Sequence, residues 1–413
     1  MFQKVYPYAC LSIDCTWAEW FRAMKRAIYT SETSNQLKPK ISRLFSAEGN
    51  VIITLCVRSA FDLYLQALNL PIGTEIIMSA INIPEMVRIV RKYGYIPVPV
   101  DIDIDTLQTT PERVEAAITK KTGLIIIAET YGTRYSLAGI SKVAKKHGIP
   151  LFEDCAEGFC GRNFSGDPNA DITVFSFGPI KTATAFQGAV MIIRNNPQLL
   201  SQIKRIHQSY PVQPTKTYFK KVLKYSAGLI YLNWQGLNHV LRPPLMKIGF
   251  DYKKRVVGLM RGFPPGKGLE VYRYQPCAAM LSFMYRRLAI FNAEKFFKLN
   301  RGIQEGTDIL TAGGVTVPGY AQRDRTYWLY PIMADETLKA YKDLNKAGID
   351  AYKGISQLNC VEAPIGDSYT QPKNAIDMFE KLVYLPLHKD VPLKDIKKIC
   401  NKTVELLNPK PKL

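Results

Sequence analysis

The sequence predicts an α/β protein with a large domain on a mostly parallel sheet, followed by a smaller C-terminal α+β domain. Three observations carry this. Between Val51 and Ile193, short apolar runs alternate with helical patterns. Several runs, such as Leu124 to Ala128, are apolar throughout, as expected of strands covered on both faces. The tail, residues 310–413, again alternates strand and helix in a chain of 413 residues, long enough for more than one domain.

Residues 1–48 form an N-terminal arm. Trp17, Trp20, Phe21, Met24 and Ile28 recur at helical spacing and predict an amphipathic helix; Lys38 to Lys40 punctuate before the main domain. The large domain spans 49–204. Val51 to Leu55 reads as a strand, Ser59 to Leu68 as a helix, Glu75 to Met78 as a strand. Ile83 to Tyr93 is a helix stopped by Gly94, and Pro97 to Val100 a strand ending at Asp101. Thr110 to Ile118 is a helix with Pro111 in its first turn, where a missing N–H costs little. Leu124 to Ala128 is a strand, and Leu137 to His147 a helix ended by Gly148. Pro150 to Phe152 leads a strand into Glu153 and Asp154; Ile172 to Phe177 and Ala189 to Ile193 are strands. Residues 205–268 break the rhythm as a basic, aromatic insertion. Residues 269–413 hold a linking helix, with Ala278, Leu281, Tyr285, Leu288 and Phe291 on one face, and the small domain. In that domain Trp328 to Met333 and Leu382 to Leu385 are strands; Thr337 to Ala347 and Leu393 to Leu406 are helices.

The eight cysteines include no C-x-x-C pair, and there are four histidines. A zinc site and a disulfide framework are therefore not expected, and a reducing, cytoplasmic compartment fits. Met1 to Arg22 does not read as a signal peptide, and no run reaches membrane-spanning length. The net charge is +20, and Ser201 to Asn300 holds 18 Lys/Arg against 3 Asp/Glu. Such a segment is either a solvated basic face or a contact with something anionic, such as a membrane surface.

Catalytic groups in parallel sheets sit beyond the strand ends. Asp154 falls just past one buried run, and Lys181 a few residues past the next. An acid and a lysine at neighbouring strand ends are common in α/β proteins. They are also two requirements of pyridoxal 5′-phosphate (PLP) chemistry, which needs an amine to hold the cofactor and an acid on its ring nitrogen.

Glu153-Asp154-Cys155-Ala156-Glu157, followed by Phe175-Ser176-Phe177-Gly178-Pro179-Ile180-Lys181-Thr182, resembles the paired signature of the DegT/StrS family of PLP-dependent sugar aminotransferases. Gly73-Thr74-Glu75-Ile76-Ile77, Val98-Pro99-Val100-Asp101-Ile102-Asp103, Tyr131-Gly132 and Tyr384-Leu385-Pro386-Leu387-His388 resemble further family segments in the same order. The resemblance implies fold type I, a PLP cofactor and a homodimer. It implies Lys181 as the Schiff-base lysine and proton shuttle, Asp154 as partner of the pyridine nitrogen, and Ser176 on the phosphate. Arg58 and Ser59 fall where the family binds that phosphate before a helix. Glu157 stands where the family has Gln or His, close to the cofactor's phenolic oxygen, so it is either protonated or turned elsewhere. Ser79 to Ile83 replaces a ring-stacking aromatic stretch with an aliphatic one.

The implied reaction is amino transfer from an amino-acid donor to a keto group, on a nucleotide-linked or lipid-linked sugar. A PLP-dependent lyase or carbon–carbon bond former is a second reading. A non-catalytic basic protein on membrane or nucleic acid is a third, although no nucleic-acid motif is present and no nucleic-acid partner is expected. The basic segment reads as a packed lid or dimer arm, and its cations flanking aromatic and aliphatic residues also suit peripheral contact with an anionic bilayer.

Overall fold

The computed structural model describes residues 6–234, 240, 258, 268–323, 325–354, 358–366 and 369–408. Two helices, α1 (Trp17–Ile28) and α2 (Ser34–Ser42), precede the sheet. Strands β1 (Val51–Thr54), β2 (Glu75–Ser79), β4 (Ile96–Val100), β5 (Thr122–Ala128), β6 (Leu151–Cys155), β7 (Ile172–Ser176) and β8 (Ala189–Ile193) make one seven-stranded sheet, ordered β1-β8-β7-β6-β5-β2-β4. The pairs from β4 across to β7 are parallel, while β8 runs antiparallel to both β7 and β1. β1, β5, β6 and β7 therefore end on the same edge. A short β3 (Ile81–Asn82) lies outside this sheet.

Helices α3 (Val57–Leu68), α4 (Pro84–Lys92), α5 (Pro111–Ala117), α6 (Ala138–Lys146) and α7 (Pro197–Ser209) connect or follow the strands. Their ends obey local chemistry. The Thr110 hydroxyl accepts from the Arg113 N–H ahead of Pro111, and Gly94 and Gly148 stop α4 and α6 at φ +74° and +64°. Phe61, Leu63 and Leu65 of α3 cover one face of the sheet with Ile76, Ile126 and Val174; Val114, Ile140 and Val143 cover the other with Ile77, Ile125 and Ile127. Strands buried on both faces explain the uniformly apolar runs.

The C-terminal part follows α8 (Thr215–Asn233). It contains α9 (Ala278–Ala289), α10 (Ala293–Ala312), β9 (Tyr330–Met333), α11 (Thr337–Lys346), β10 (Asn359–Cys360), α12 (Lys373–Lys381), β11 (Leu382–Leu385) and α13 (Leu393–Leu407). β9 and β11 pair antiparallel over their own core of Ile303, Ile332, Val383 and Ile396. β10 pairs with β3 and ties this part to the large sheet's neighbourhood.

Four sequence expectations change. Residues 34–42 are helical because Thr33 and Gln36 form a capping box, which the lysines concealed. In α1 the buried residues are Glu19, Ala23 and Ala27, whereas Phe21 and Ile28 are 64% and 76% exposed. The linking helix is two helices, divided where the Asn292 side chain caps α10. The basic segment opens as ordered helix, α7 into α8; its residues 235–239, 241–257 and 259–267 lie outside the described residues.

Candidate active site

Three strand ends and one helix start build a cavity on the common edge. After β1 the chain turns through Cys56 into α3, bringing Arg58 to the rim. Asp154 stands near the end of β6, with Glu157 just beyond it; Ser176 ends β7 and leads into the loop bearing Lys181. The cavity, with an empty volume of about 550 Å³, is lined by Arg58, Asp154, Glu157, Ser176 and Lys181 together with Asn82, Ile83, Thr130 and Leu358. Among the sequence candidates only Ser59 is not in the lining. Its hydroxyl turns back along α3 and lies 3.4 Å from the Cys56 thiol.

Lys181 is buried and donates to Glu157 Oε1 at 2.9 Å; Glu157 Oε2 accepts the Tyr131 backbone N–H at 2.7 Å. Glu157 therefore faces the cavity, paired with Lys181, and is not turned elsewhere. Tyr131 holds a left-handed φ of +53°, and its carbonyl faces the Arg325 guanidinium. On the other side, the Lys181 ammonium sits 4.4 Å from the centre of the Trp328 ring. The Thr326 hydroxyl donates to the Glu157 carbonyl. Residues 325–328 from the C-terminal part therefore pack against Tyr131, Glu157 and Lys181 as a wall behind the lining, to which the same part contributes Leu358.

Asp154 is buried beside this pair. Burial pushes its carboxyl up to about 6, against the opposing pull of the Ala156 N–H and of Lys181. Behind it Glu129, Glu153 and Cys155 bring their ligand-type atoms within 4.8 Å of one another. Burial raises both carboxyls there, Glu153 to about 7. Burial thus works against the charged form that would ligate a cation.

The Lys181 loop is strapped from outside. The Ala183 N–H, at φ +54°, donates to Asp14 Oδ2 at 2.6 Å. Asp14 also pairs with Arg287 and Lys389. Burial alone would raise the Asp14 carboxyl, but Lys389, Arg287 and the Ala183 N–H outweigh it and leave it below its ordinary value. The inner face of α8 packs here too. Tyr218 donates to the Ala185 carbonyl at 3.0 Å, and Tyr225 stacks on Phe186. Lys221, between them on that face, is pushed down to about 8 by burial, with Cys56 and Arg58 among the groups it feels.

The lining fits a polar, anionic ligand. Among the described residues, Asn82 Nδ2 and Thr130 Oγ1 are buried without a hydrogen-bond partner, while Arg58 stands in the first turn of α3, whose Cys56 N-cap makes no side-chain capping bond. Sequence reasoning missed Asn82, Thr130, Trp328 and Lys221. None lies in a conspicuous motif, and Tyr131 acts through a backbone N–H that its side chain does not advertise.

Residues 25–235 match the model of the DegT/DnrJ/EryC1/StrS aminotransferase family. The chain belongs to this family. A pleiotropic regulatory protein of Geobacillus stearothermophilus is 33% identical over 175 residues, which span 41% of this chain and 45% of that protein. Solved structures share the fold across nearly the whole chain. PseC of Helicobacter pylori, an aminotransferase of pseudaminic acid biosynthesis, has a TM-score of 0.68 at 16% identity, covering 98% of this chain and all of that one. The aminotransferase TlmJ of Streptoalloteichus hindustanus gives 0.67 at 15% identity, with 96% and 98% covered. An E. coli GDP-4-keto-6-deoxy-D-mannose-3-dehydratase gives 0.67 at 15% identity, with 98% and 100% covered.

Proposed function

We propose that this family member carries PLP on Lys181. It would transfer an amino group from an amino-acid donor to a keto group on a nucleotide-linked or lipid-linked sugar. The observation that carries the reading is the convergence of buried Lys181, buried Asp154 and Arg58 at a helix start on a single sheet edge.

When bound, PLP supplies an electron sink for charge left on a substrate carbon. Asp154 would hold the proton on the ring nitrogen; its burial keeps water from competing for that contact. Arg58 and the first turn of α3 would take the phosphate, with the Ser176 hydroxyl beside them. Ile83 would cover one ring face. The Lys181 amine would hold the cofactor and would serve as the base and acid that takes a proton from substrate carbon and returns it. The Glu157 carboxylate stands within hydrogen-bond reach to hold that amine in position. Two copies would complete the site as a homodimer, working against an anionic membrane surface. Arg58, Asp154, Glu157, Ser176 and Lys181 are the residues assigned to the site, with Ser59 supporting the phosphate turn from behind.

A second reading, dehydration of a keto sugar, follows from the similarity to the E. coli dehydratase, whose solved structure holds hydrated PLP. The test is borohydride reduction of the PLP-incubated protein with mass mapping. The cofactor is expected on Lys181, and a map to other lysines alone removes the proposal. Stopped-flow spectra with glutamate then separate the readings. Stoichiometric conversion to the amine form of the cofactor, with release of a keto acid, supports transfer.

A further inference from the structure

α1 and α8 pack antiparallel on the outside of the molecule. The Trp20 indole donates to the Val222 carbonyl at 3.0 Å. At the far end, the Asn233 side chain accepts the Ile13 N–H at 3.0 Å and donates to the Ile13 carbonyl at 2.7 Å. While α8 buries Tyr218, Val222, Tyr225 and Leu229 inward, the pair turns Phe21, Ile28, Leu223, Ile230 and Trp234 outward, at 64%, 76%, 48%, 39% and 54% exposure. Exposed Lys25, Lys216, Lys220 and Lys224 lie among them.

The charge on this face has one sign. Glu19 is the only acid in either helix, and it is buried against Arg286. The chain contains no Asp or Glu between Ser201 and Phe250. Lysine is depleted in protein–protein interfaces, whereas aromatic and aliphatic tips among lysines suit an anionic headgroup layer. No described helix is long and apolar enough to cross a bilayer, so the chain would lie on it.

We infer that the α1–α8 face is the surface by which this protein docks on anionic lipid, with Phe21, Leu223 and Trp234 entering the headgroup boundary. This locates the membrane contact included in the proposed function and rests on that reading only for its purpose. The same helix then has its inner face on the Lys181 loop and its outer face on the bilayer. A lipid-linked acceptor would meet the site a helix's width from the membrane.

The test uses the full chain incubated with PLP and sedimented with vesicles of phosphatidylcholine, with and without about one third phosphatidylglycerol. Binding is expected to the anionic vesicles at low salt, to fall steeply with salt, and to be roughly thirtyfold weaker for the K220Q/K224Q variant. The F21S/L223S variant is expected to lose binding while keeping cofactor capture. Three results overturn the inference: no anionic-vesicle binding at low salt, equal binding by both variants, or self-association through this face that the same substitutions abolish. Cofactor capture on the same samples keeps the two proposals apart. Vesicle binding without capture faults the enzyme reading, and capture without vesicle binding faults the docking surface.

Discussion

The edge of the sheet around Lys181 and the outer stripe of α8 are both cationic, and they handle charge in opposite ways. Around the edge three cations are answered by carboxylates: buried Lys181 by Glu157, Arg287 by Asp14, and Arg273 near the start of α9, 36% exposed, by the fully buried Asp62. On the stripe, Lys216, Lys220 and Lys224 are exposed, and among the described residues they make no ion pair. A buried charge without a partner costs several kcal/mol, so the edge spends its carboxylates there and gains fixed geometry. Exposed lysines need no partner; each interacts weakly, and they act together through a shared field that salt screens. The difference teaches where to look for chemistry and where for attachment.

The contrast breaks most sharply at Lys181. The K181A variant is expected to lose amino transfer by at least about a thousandfold, since it removes both the cofactor's anchor and the proton carrier. Turnover assays against a folded, unaltered circular-dichroism spectrum check this. The Lys224→Ala change on the stripe should leave turnover in solution unchanged.

The joint between the edge and the C-terminal wall comes next. Gly132 has φ +73°, and a Cβ there would lie 1.9 Å from the Thr326 carbonyl oxygen. The G132A variant should lose about 3 kcal/mol or more by urea denaturation, from left-handed strain together with the clash. If its stability matches the wild type, the wall formed by 325–328 is not packed as described.

His207 on α7 tests the same logic by pH. It is buried, its Nε2 has no hydrogen-bond partner among the described residues, and burial pushes it down to about 4 from its ordinary 6.5. The unfolded chain therefore takes up this proton first as pH falls. The stability due to a neutral His207 is complete above about 6.5, declines between 6.5 and 4, and is gone below that. The loss amounts to roughly 3 kcal/mol. The H207F variant should show a flatter stability profile between about pH 7.5, above this window, and about pH 4.5, near its lower end, measured by denaturant midpoints.

The smallest expected effect sharpens the boundary between the two regions. Lys221 belongs to the basic helix but turns inward towards Cys56 and Arg58. The K221M variant should bind PLP about tenfold more weakly yet bind unphosphorylated pyridoxal as well as the wild type, as one charge-assisted contact to phosphate would require. Equal weakening of both ligands would mean that Lys221 serves only packing.

Much of the site was legible because its parts hang on strand ends. Asp154 and Lys181 each follow a buried apolar run, so their approach needed only the inference that the two strands adjoin. Arg58 was named through the family resemblance, and it stands in the first turn of α3. Ser59 was not separable from it by sequence, because the facing direction of neighbouring residues in a helix's first turn depends on how that helix meets the sheet. Trp328 and Thr326 lie more than a hundred residues away and arrive through docking of the C-terminal part. The basic segment was read by composition as an interruption. Its apolar positions instead form a helical face of Tyr218, Val222 and Tyr225 against the lysine loop.

Taken alone, the order of residues determined the alternation of strands and helices, the parallel sheet and the two chemical groups at its edge. Those follow from periodicity and from the backbone's need to bury apolar runs on both faces. Only the tertiary structure decided which carboxylate neutralises Lys181, which segments wall the cavity, and which way each lysine of α8 faces. Such outcomes depend on contacts between residues far apart in the chain, where burial and counter-charge are set by packing and local pattern carries no information.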